Sequence, residues 1–496
     1  MTLKTHCKPR QSVFDRNRRD IVLDLSDFLE DKIEGEKFFE ENFITSGMKT
    51  LFEKTFARLE NRGDQASTFL LTQSIGGGKT HNMIALGLLA KNPALREKVL
   101  GKGGYGSKVG GVRVIGFHGR QTDAQFGIWG ELADQLGKKD VFKDYYQPLQ
   151  APGQSAWINL LKGEPTLIFL DELPPYLEAV QAKSIGSTTL STVTATAIAN
   201  LLVAVNKAEL SNVCVVIADL TASWQTGGAM LNTALDNLKN ETSRSALRIE
   251  PVSSQGEELY HILRTRLFQT LPDHPVRTEV ANAYALAVKA AREMDVTNHS
   301  PDSFAAQLSE SYPFHFGLRD LYARFKENPG FQQTSGLIRL MRMVVSNLWE
   351  TGQADKLQLI HPYNLDLNSD EIVSEIRSIN PSLSEAISHD IANNGHSVAE
   401  DIDTKYNCTD AQDVSKLLLV ASLASVPGAT HGLRQNDIMA FLCAPGRDIS
   451  KVKKEIVDYL PTQAWYLHQS NDGRLFYKDI QNLAAKLHST ARQYNQ

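Results

Sequence analysis

A three-layer α/β sandwich built on a parallel sheet is the fold class predicted for the first half of this chain, and three observations predict it. The run Ser67 to Thr72 leads into three glycines, Gly76, Gly77 and Gly78, and then into the helical stretch N-M-I-A-L-G-L-L-A. Thr166 to Leu170 is a continuous apolar run that closes on Asp171 and Glu172, the pattern of a strand buried on both faces. Strands and helices alternate as far as about residue 250, which requires right-handed crossovers and parallel pairing.

The glycine stretch carries the chemistry. Successive backbone N–H groups without side-chain obstruction curl around a polyphosphate at the positive end of a helix. Lys79 then supplies a mobile positive charge to the terminal phosphates, and the Thr80 hydroxyl suits magnesium. The full phosphate-loop pattern would place a glycine at position 73, where this chain has Gln73, so the loop begins differently. Ser74, Ile75, Gly76, Gly77, Gly78, Lys79, Thr80 and His81 form the candidate cofactor-binding segment, with ATP and Mg2+ as the cofactors. Two acids after a strand are by themselves only a solvated loop. Paired with Lys79 and Thr80, Asp171 becomes the second metal residue and Glu172 the group that polarises an attacking water. Nucleotide hydrolysis is the reading that results, and a P-loop NTPase of the AAA+-like kind is the fold.

Composition bounds the rest. A chain of 496 residues has room for about three domains, and 42% hydrophobic with 22% charged residues is an ordinary globular balance. A net charge of −5 argues against a broad coat of nucleic acid. No run of eighteen apolar residues occurs, and M-T-L-K-T-H-C-K-P-R lacks a secretory apolar region, so a cytoplasmic protein without membrane attachment is expected. Cys7, Cys214, Cys408 and Cys443 are scattered and indicate neither a disulfide framework nor a zinc site.

Five segments follow in order. Residues 1–60 read as an N-terminal helical segment walling the nucleotide site. Thr45 or Ser46 is the helix cap before Met48, Leu51, Phe52, Phe56 and Leu59, and the Thr45-Ser46-Gly47 turn is the candidate wall. Residues 61–254 form the ATPase core, with strands at 67–73, 112–118, 166–170 and 213–220 and helices at 79–91, 124–136 and 194–208. The fourth strand ends near Asp219 and Thr221, of which Thr221 is the preferred catalytic polar residue. Arg244 and Arg248 precede or enter a fifth strand, and Arg244 is preferred as an arginine reaching a neighbour's nucleotide. Residues 255–350 read as a helical lid. There Gly336-Leu337-Ile338-Arg339 makes Arg339 the cofactor-contacting lid arginine, with Arg342 one turn on as the alternative.

Residues 351–430 read as a helical connector. Residues 431–496 read as a winged-helix-like domain, with helices at 435–443 and 449–460 and a hairpin turning at Asn471-Asp472-Gly473. Lys451, Lys453, Lys454 and Arg474 are its candidate DNA contacts, diluted by Asp448, Glu455 and Asp458.

The G-G-G-K-T-H loop, F-L-D-E-L, S-Y-P-F-H-F (311–316), F-Q-Q-T-S-G-L-I-R-L and the late A-W-Y-L-H with D-G-R-L-F-Y resemble a family of large AAA+-like ATPases. These are encoded in bacterial and archaeal phage-defence islands beside DNA methyltransferases and helicases and are similar to the BREX-system ATPase. The likeness extends from about Phe38 to Leu487, and family members are often longer. It implies ATP binding, a homo-oligomer and a role in DNA-directed defence beside a methyltransferase, helicase or nuclease partner. The expected function is a Mg-ATP-dependent motor or remodeller. The alternative is an ATP-gated scaffold with little turnover that recruits a DNA-modifying or nuclease partner.

Overall fold

A computed structural model of the chain describes residues 2–15, 23–61, 65–72, 77–218, 246–252, 258–328 and 330–494. The chain divides into two compact units, Ile21–Glu258 and Met1–Asp20 together with Leu259–Gln496.

The first unit is organised by five strands: β1 (Thr68–Leu71), β2 (Arg113–His118), β3 (Thr166–Asp171), β4 (Val213–Ala218) and β5 (Ala246–Ile249). They pair in the order β2-β3-β4-β1-β5, every pair parallel. Every residue of β1, β3 and β4 is buried, as apolar runs covered on both faces must be.

Alternation along the strands then feeds two cores. Phe69, Leu71, Leu167, Phe169 and Val216 face the helices α1 (Leu25–Leu29), α3 (Ser46–Leu59) and α4 (Lys79–Lys91). Ile115, Phe117, Ile168, Leu170 and Ile217 face α5 (Gly127–Gln135), α6 (Leu173–Ala179) and α7 (Leu190–Val205). The short helix α2 (Gly35–Glu41) lies between α1 and α3 in the chain. This is the predicted α/β sandwich of a P-loop NTPase-like core.

The cap of α3 is Thr45, whose hydroxyl accepts from Met48 N at 3.2 Å and donates to the Pro251 carbonyl at 2.6 Å. Gly47 is required there, since a Cβ would stand 2.0 Å from the Glu250 carbonyl oxygen. The Thr45-Ser46-Gly47 turn therefore clasps the chain just after β5.

The second unit is mostly helical, with α8 (Glu258–Leu267), α9 (His274–Glu293), α10 (Pro301–Ser311), α11 (Gly317–Phe325), α12 (Gln333–Glu350), α13 (Asp370–Ile379), α14 (Val398–Tyr406) and α15 (Asp410–Val420). The first residues of the chain belong here and not with 21–60. Lys8–Pro9 pairs antiparallel with Phe268–Thr270, and Leu3 N donates to the Leu357 carbonyl at 2.7 Å. Asp403 accepts from Ala411 N and Gln412 N in the first turn of α15.

At the end come β6 (Leu433–Arg434), α16 (Gln435–Leu442), a helical stretch over 449–457, and the strands β7 (Leu467–Gln469) and β8 (Arg474–Tyr477). The hairpin turns through Gly473 at φ 82°, a left-handed value that favours glycine. β6 adds a third strand in the order β6-β8-β7. No helix among the described residues is long and apolar enough to cross a membrane.

Candidate functional site

The site is built at the carboxyl rim of the sheet, where ligands of open α/β folds sit. Helix α4 starts at Lys79 directly after Gly78, which takes φ 88°. The Gly78 carbonyl accepts from Asn82 N and from Asn82 Nδ2, both at 2.9 Å. That carbonyl is therefore held back against the first turn of the helix. Asn82 is buried, and its Oδ1 has no partner among the described residues. His81 stacks on Phe38 of α2 with ring centroids 4.7 Å apart.

Asp171 ends β3 and is 1% exposed. Its Oδ2 accepts from Thr80 Oγ1 at 2.5 Å and its Oδ1 from Glu172 N at 3.0 Å. Burial pushes the Asp171 carboxyl above the usual carboxylate range, while the Thr80 hydroxyl and the nearby His118 pull the other way. A buried carboxylate whose partners do not fully compensate its desolvation is a site that gains from a cation. One hydroxyl and one carboxylate oxygen are the hard donors magnesium prefers, and magnesium usually keeps several waters and substrate phosphates as its other ligands. The donor set fits that metal.

Glu172 stands at φ 47°, ψ 40°, a left-handed conformation, and opens α6. Strained backbone of this kind costs about 1–3 kcal/mol and persists where the surroundings enforce it. Here the enforcement comes from the turn after β2. Gly119 N donates to the Asp171 carbonyl at 2.9 Å, and a Cβ on Gly119 would lie 1.7 Å from the Glu172 carbonyl oxygen. Arg120 Nε donates to Glu172 Oε2 at 2.7 Å. His118 Nε2 lies 3.8 Å from the same oxygen.

The structure thus brings Gly77, Gly78, Lys79, Thr80 and His81 to one helix N-terminus and joins that terminus to Asp171 and Glu172. Ser74, Ile75, Gly76, Asp219, Thr221 and Arg244 lie outside the described residues. Arg248 lies within β5, as the sequence predicts, and is exposed. Arg339 lies on α12 in the second unit, where Nε and Nη2 hold the Glu375 carboxylate at 3.0 and 2.7 Å. In the hairpin region Lys451 pairs with Glu455, Lys453 with Asp458, and Arg474 with Asp472.

Sequence reasoning missed His118, Gly119 and Arg120. Their signal was the polar H-G-R tip of the second strand, on the same rim as the acids. Asn82, one turn into α4, carried no signal beyond its polarity on an apolar helix.

The DUF499 N-terminal domain matches residues 121–247, and the DUF499 second domain matches residues 254–420. The chain matches the DUF499 family in two consecutive domains. Asp171 and Glu172 fall in the first DUF499 match and Arg339 in the second, whereas the Gly77-to-His81 segment precedes both.

No curated protein matches. Among solved structures the chain is similar to the Aeropyrum pernix Orc1 protein in complex with DNA, at 13% identity and a TM-score of 0.30, covering 92% of this chain and 94% of that one. It is also similar to Cdc6p from Pyrobaculum aerophilum, at 10% identity and a TM-score of 0.34, covering 97% and 98%. The overlap at these scores is loose.

Proposed function

We propose that this chain is a Mg-ATP-dependent, AAA+-like ATPase. The observation that carries the reading is the 2.5 Å hydrogen bond from the Thr80 hydroxyl to the buried Asp171 carboxylate. It joins two residues ninety-one positions apart at the head of a glycine-led helix, where a triphosphate finds N–H donors and positive dipole.

In this reading Lys79 neutralises the terminal phosphates, with backbone N–H groups from Ser74 through Gly78 around them and His81 at the edge. Thr80 and Asp171 would hold the metal, which when bound would neutralise phosphate charge. Glu172 takes the proton side of the attacking water. Thr221 and Arg244 complete the catalytic set, Arg244 acting on a neighbouring copy, and Arg339 touches nucleotide from the lid once Glu375 releases it. The proposed setting is an oligomeric motor or remodeller in DNA-directed anti-phage defence, with the hairpin region as the DNA contact and a methyltransferase, helicase or nuclease as partner.

The test is calorimetry and phosphate release with Mg-ATP. Wild type binds and turns over, Lys79→Ala loses binding, and Glu172→Gln binds but does not turn over. Undiminished binding by Lys79→Ala overturns the reading.

One observation favours a second reading, an ATP-gated scaffold with little turnover: Arg120 occupies Glu172. Brisk hydrolysis stimulated by DNA rules the scaffold out, whereas tight binding with negligible turnover in the presence of DNA supports it.

A further inference from the structure

The loop between the helix Pro93–Leu100 and β2 reads G-K-G-G-Y-G-S-K-V-G-G from Gly101 to Gly111, and nothing above uses it. We infer that this loop is a stacking platform for single-stranded nucleic acid, with a base on the Tyr105 ring and the flanking phosphates on Lys102 and Lys108. The loop enters β2 at Arg113, the opposite end of that strand from His118 and the candidate nucleotide rim. The inference therefore goes beyond the ATPase reading and does not rest on it.

Six glycines in eleven residues make a flexible chain when nothing holds them, yet this loop is held. Gly104 N donates to the Gly101 carbonyl at 3.1 Å, Ser107 N to that of Gly104 at 3.2 Å, and Val109 N to that of Gly106 at 3.0 Å. Val109 is buried in the core beneath. Gly106 takes φ 76°, and a Cβ there would stand 2.6 Å from Phe56 Cδ1, so only glycine lets the turn lie against that ring.

Arg96 is 3% exposed and spends most of its guanidinium on the same loop. Nη2 donates to the Val109 carbonyl and, at 3.2 Å, to that of Gly110, while Nη1 donates to the Leu89 carbonyl at 3.3 Å. Glu60 Oε1 accepts from Lys108 N at 2.9 Å. Burying a cation is costly, and here the buried cation fixes a surface loop in one shape.

On that base Lys102, Tyr105 and Lys108 stand at even three-residue spacing. All three are exposed, Tyr105 by 44%. The preceding lysines, Lys91 and Lys98, pair with Asp31 and Glu36 at 2.7 and 2.9 Å, whereas Lys102 and Lys108 have no ion pair among the described residues. An exposed ring between two uncompensated ammonium groups is the chemistry that takes single strands, because the ring offers a face to an unpaired base and the charges follow the backbone. A protein partner is disfavoured, since interfaces collect tyrosine but shed lysine. A duplex is disfavoured as well, since its bases already stack on one another.

The experiment uses the full chain without ATP and reads fluorescence anisotropy of labelled oligothymidine and oligouridine of about 15 nucleotides, with a DNA duplex of the same length beside them. Wild type is expected to bind the single strands. Tyr105→Ala is expected to weaken that binding roughly five- to hundredfold and to leave duplex binding within about twofold. Tyr105→Phe keeps the ring and is expected to bind as wild type, whereas Tyr105→Leu keeps apolar bulk without an aromatic face and is expected to behave as Tyr105→Ala. Lys102→Ala and Lys108→Ala are each expected to lower the slope of log affinity against log salt by about 0.7. These side chains are exposed, so the variants keep the fold.

Tighter binding of oligothymidine assigns the platform to DNA and tighter binding of oligouridine assigns it to RNA, and either supports the inference. Wild type that ignores both strands, Tyr105→Ala that binds them as wild type does, or Tyr105→Leu that matches Tyr105→Phe overturns it. Intact Mg-ATP turnover in a chain that binds no single strand overturns this inference alone and leaves the ATPase reading standing.

Discussion

Arg120 Nε donates to Glu172 Oε2 at 2.7 Å, so the carboxylate proposed to activate water is engaged by a neighbouring cation. The arginine is largely exposed, and an exposed pair is weak because water competes for both partners. Removing Arg120 leaves Glu172 in its backbone position, which the Gly119 turn holds. Arg120→Ala is therefore expected to raise basal Mg-ATP turnover about two- to fivefold, read as phosphate release at saturating nucleotide. A fall in turnover would show that the arginine assists the chemistry.

Gly119 itself admits no side chain, because a Cβ would meet the Glu172 carbonyl oxygen at 1.7 Å. Gly119→Ala must displace Glu172 from its left-handed conformation. Turnover is expected to drop by roughly a hundredfold, the cost of about 1 Å of misplacement, while Mg-ATP binding measured by calorimetry persists through Lys79 and Thr80.

Asp171 allows a stability prediction whose sign follows from its burial. Its folded-state pKa is raised, chiefly by desolvation. Its contribution is therefore favourable below the ordinary carboxylate range and is lost as pH rises through the raised value, so at neutral pH the charge costs stability. Asp171→Asn is expected to stabilise the nucleotide-free protein by roughly 0.5–2 kcal/mol, and to abolish magnesium-dependent nucleotide binding. Thermal unfolding without and with Mg-ATP reads both effects.

The second unit carries an opposite dependence. His315 and His361 are buried with ring centroids 5.3 Å apart. Burial pushes the His315 pKa down to about 3 and that of His361 well below the ordinary value. Groups with depressed pKa values contribute stability above the unfolded value, near 6.5, and lose it as pH falls toward the folded value. Each such histidine costs about 1.4 kcal/mol per pH unit in that window. Denaturant midpoints measured from pH 7 to pH 5 are expected to fall, and His315→Phe is expected to flatten the slope.

Arg447 binds Asp410 at 2.7 Å, and it binds Asp413 and, at 3.1 Å, the Tyr363 hydroxyl. Removing the cation from a half-buried ion cluster strands its two carboxylates. Arg447→Met is expected to destabilise the chain by about 3–5 kcal/mol, measured by denaturant unfolding at neutral pH.

Much of the core was legible in the order of residues. The apolar runs of β1, β3 and β4 announced strands covered on both faces, and α4 begins at Lys79 and ends at Lys91 as its spacing predicts. The Asn471-Asp472-Gly473 turn announced the hairpin. These features are local, since a strand's burial pattern, a helix start and a left-handed glycine are written in neighbouring residues. Three-dimensional packing decided the rest. Lys8 and Pro9 leave the helical segment they adjoin to pair with Phe268 and Thr270, a pairing with no local signature.

What the sequence alone determined is a glycine-led helix beside an acid-tipped strand, because dipole, charge and backbone freedom depend on short spacings. What only the tertiary structure decided is that Thr80 reaches Asp171, that Gly119 packs against the left-handed Glu172 with no room for a side chain, and that Arg120 holds the Glu172 carboxylate. Those relations link residues tens of positions apart in the chain. Those of Gly119 and Arg120 with Glu172 arise from the parallel register that sets the ends of β2 and β3 side by side, and no run of neighbouring residues encodes them.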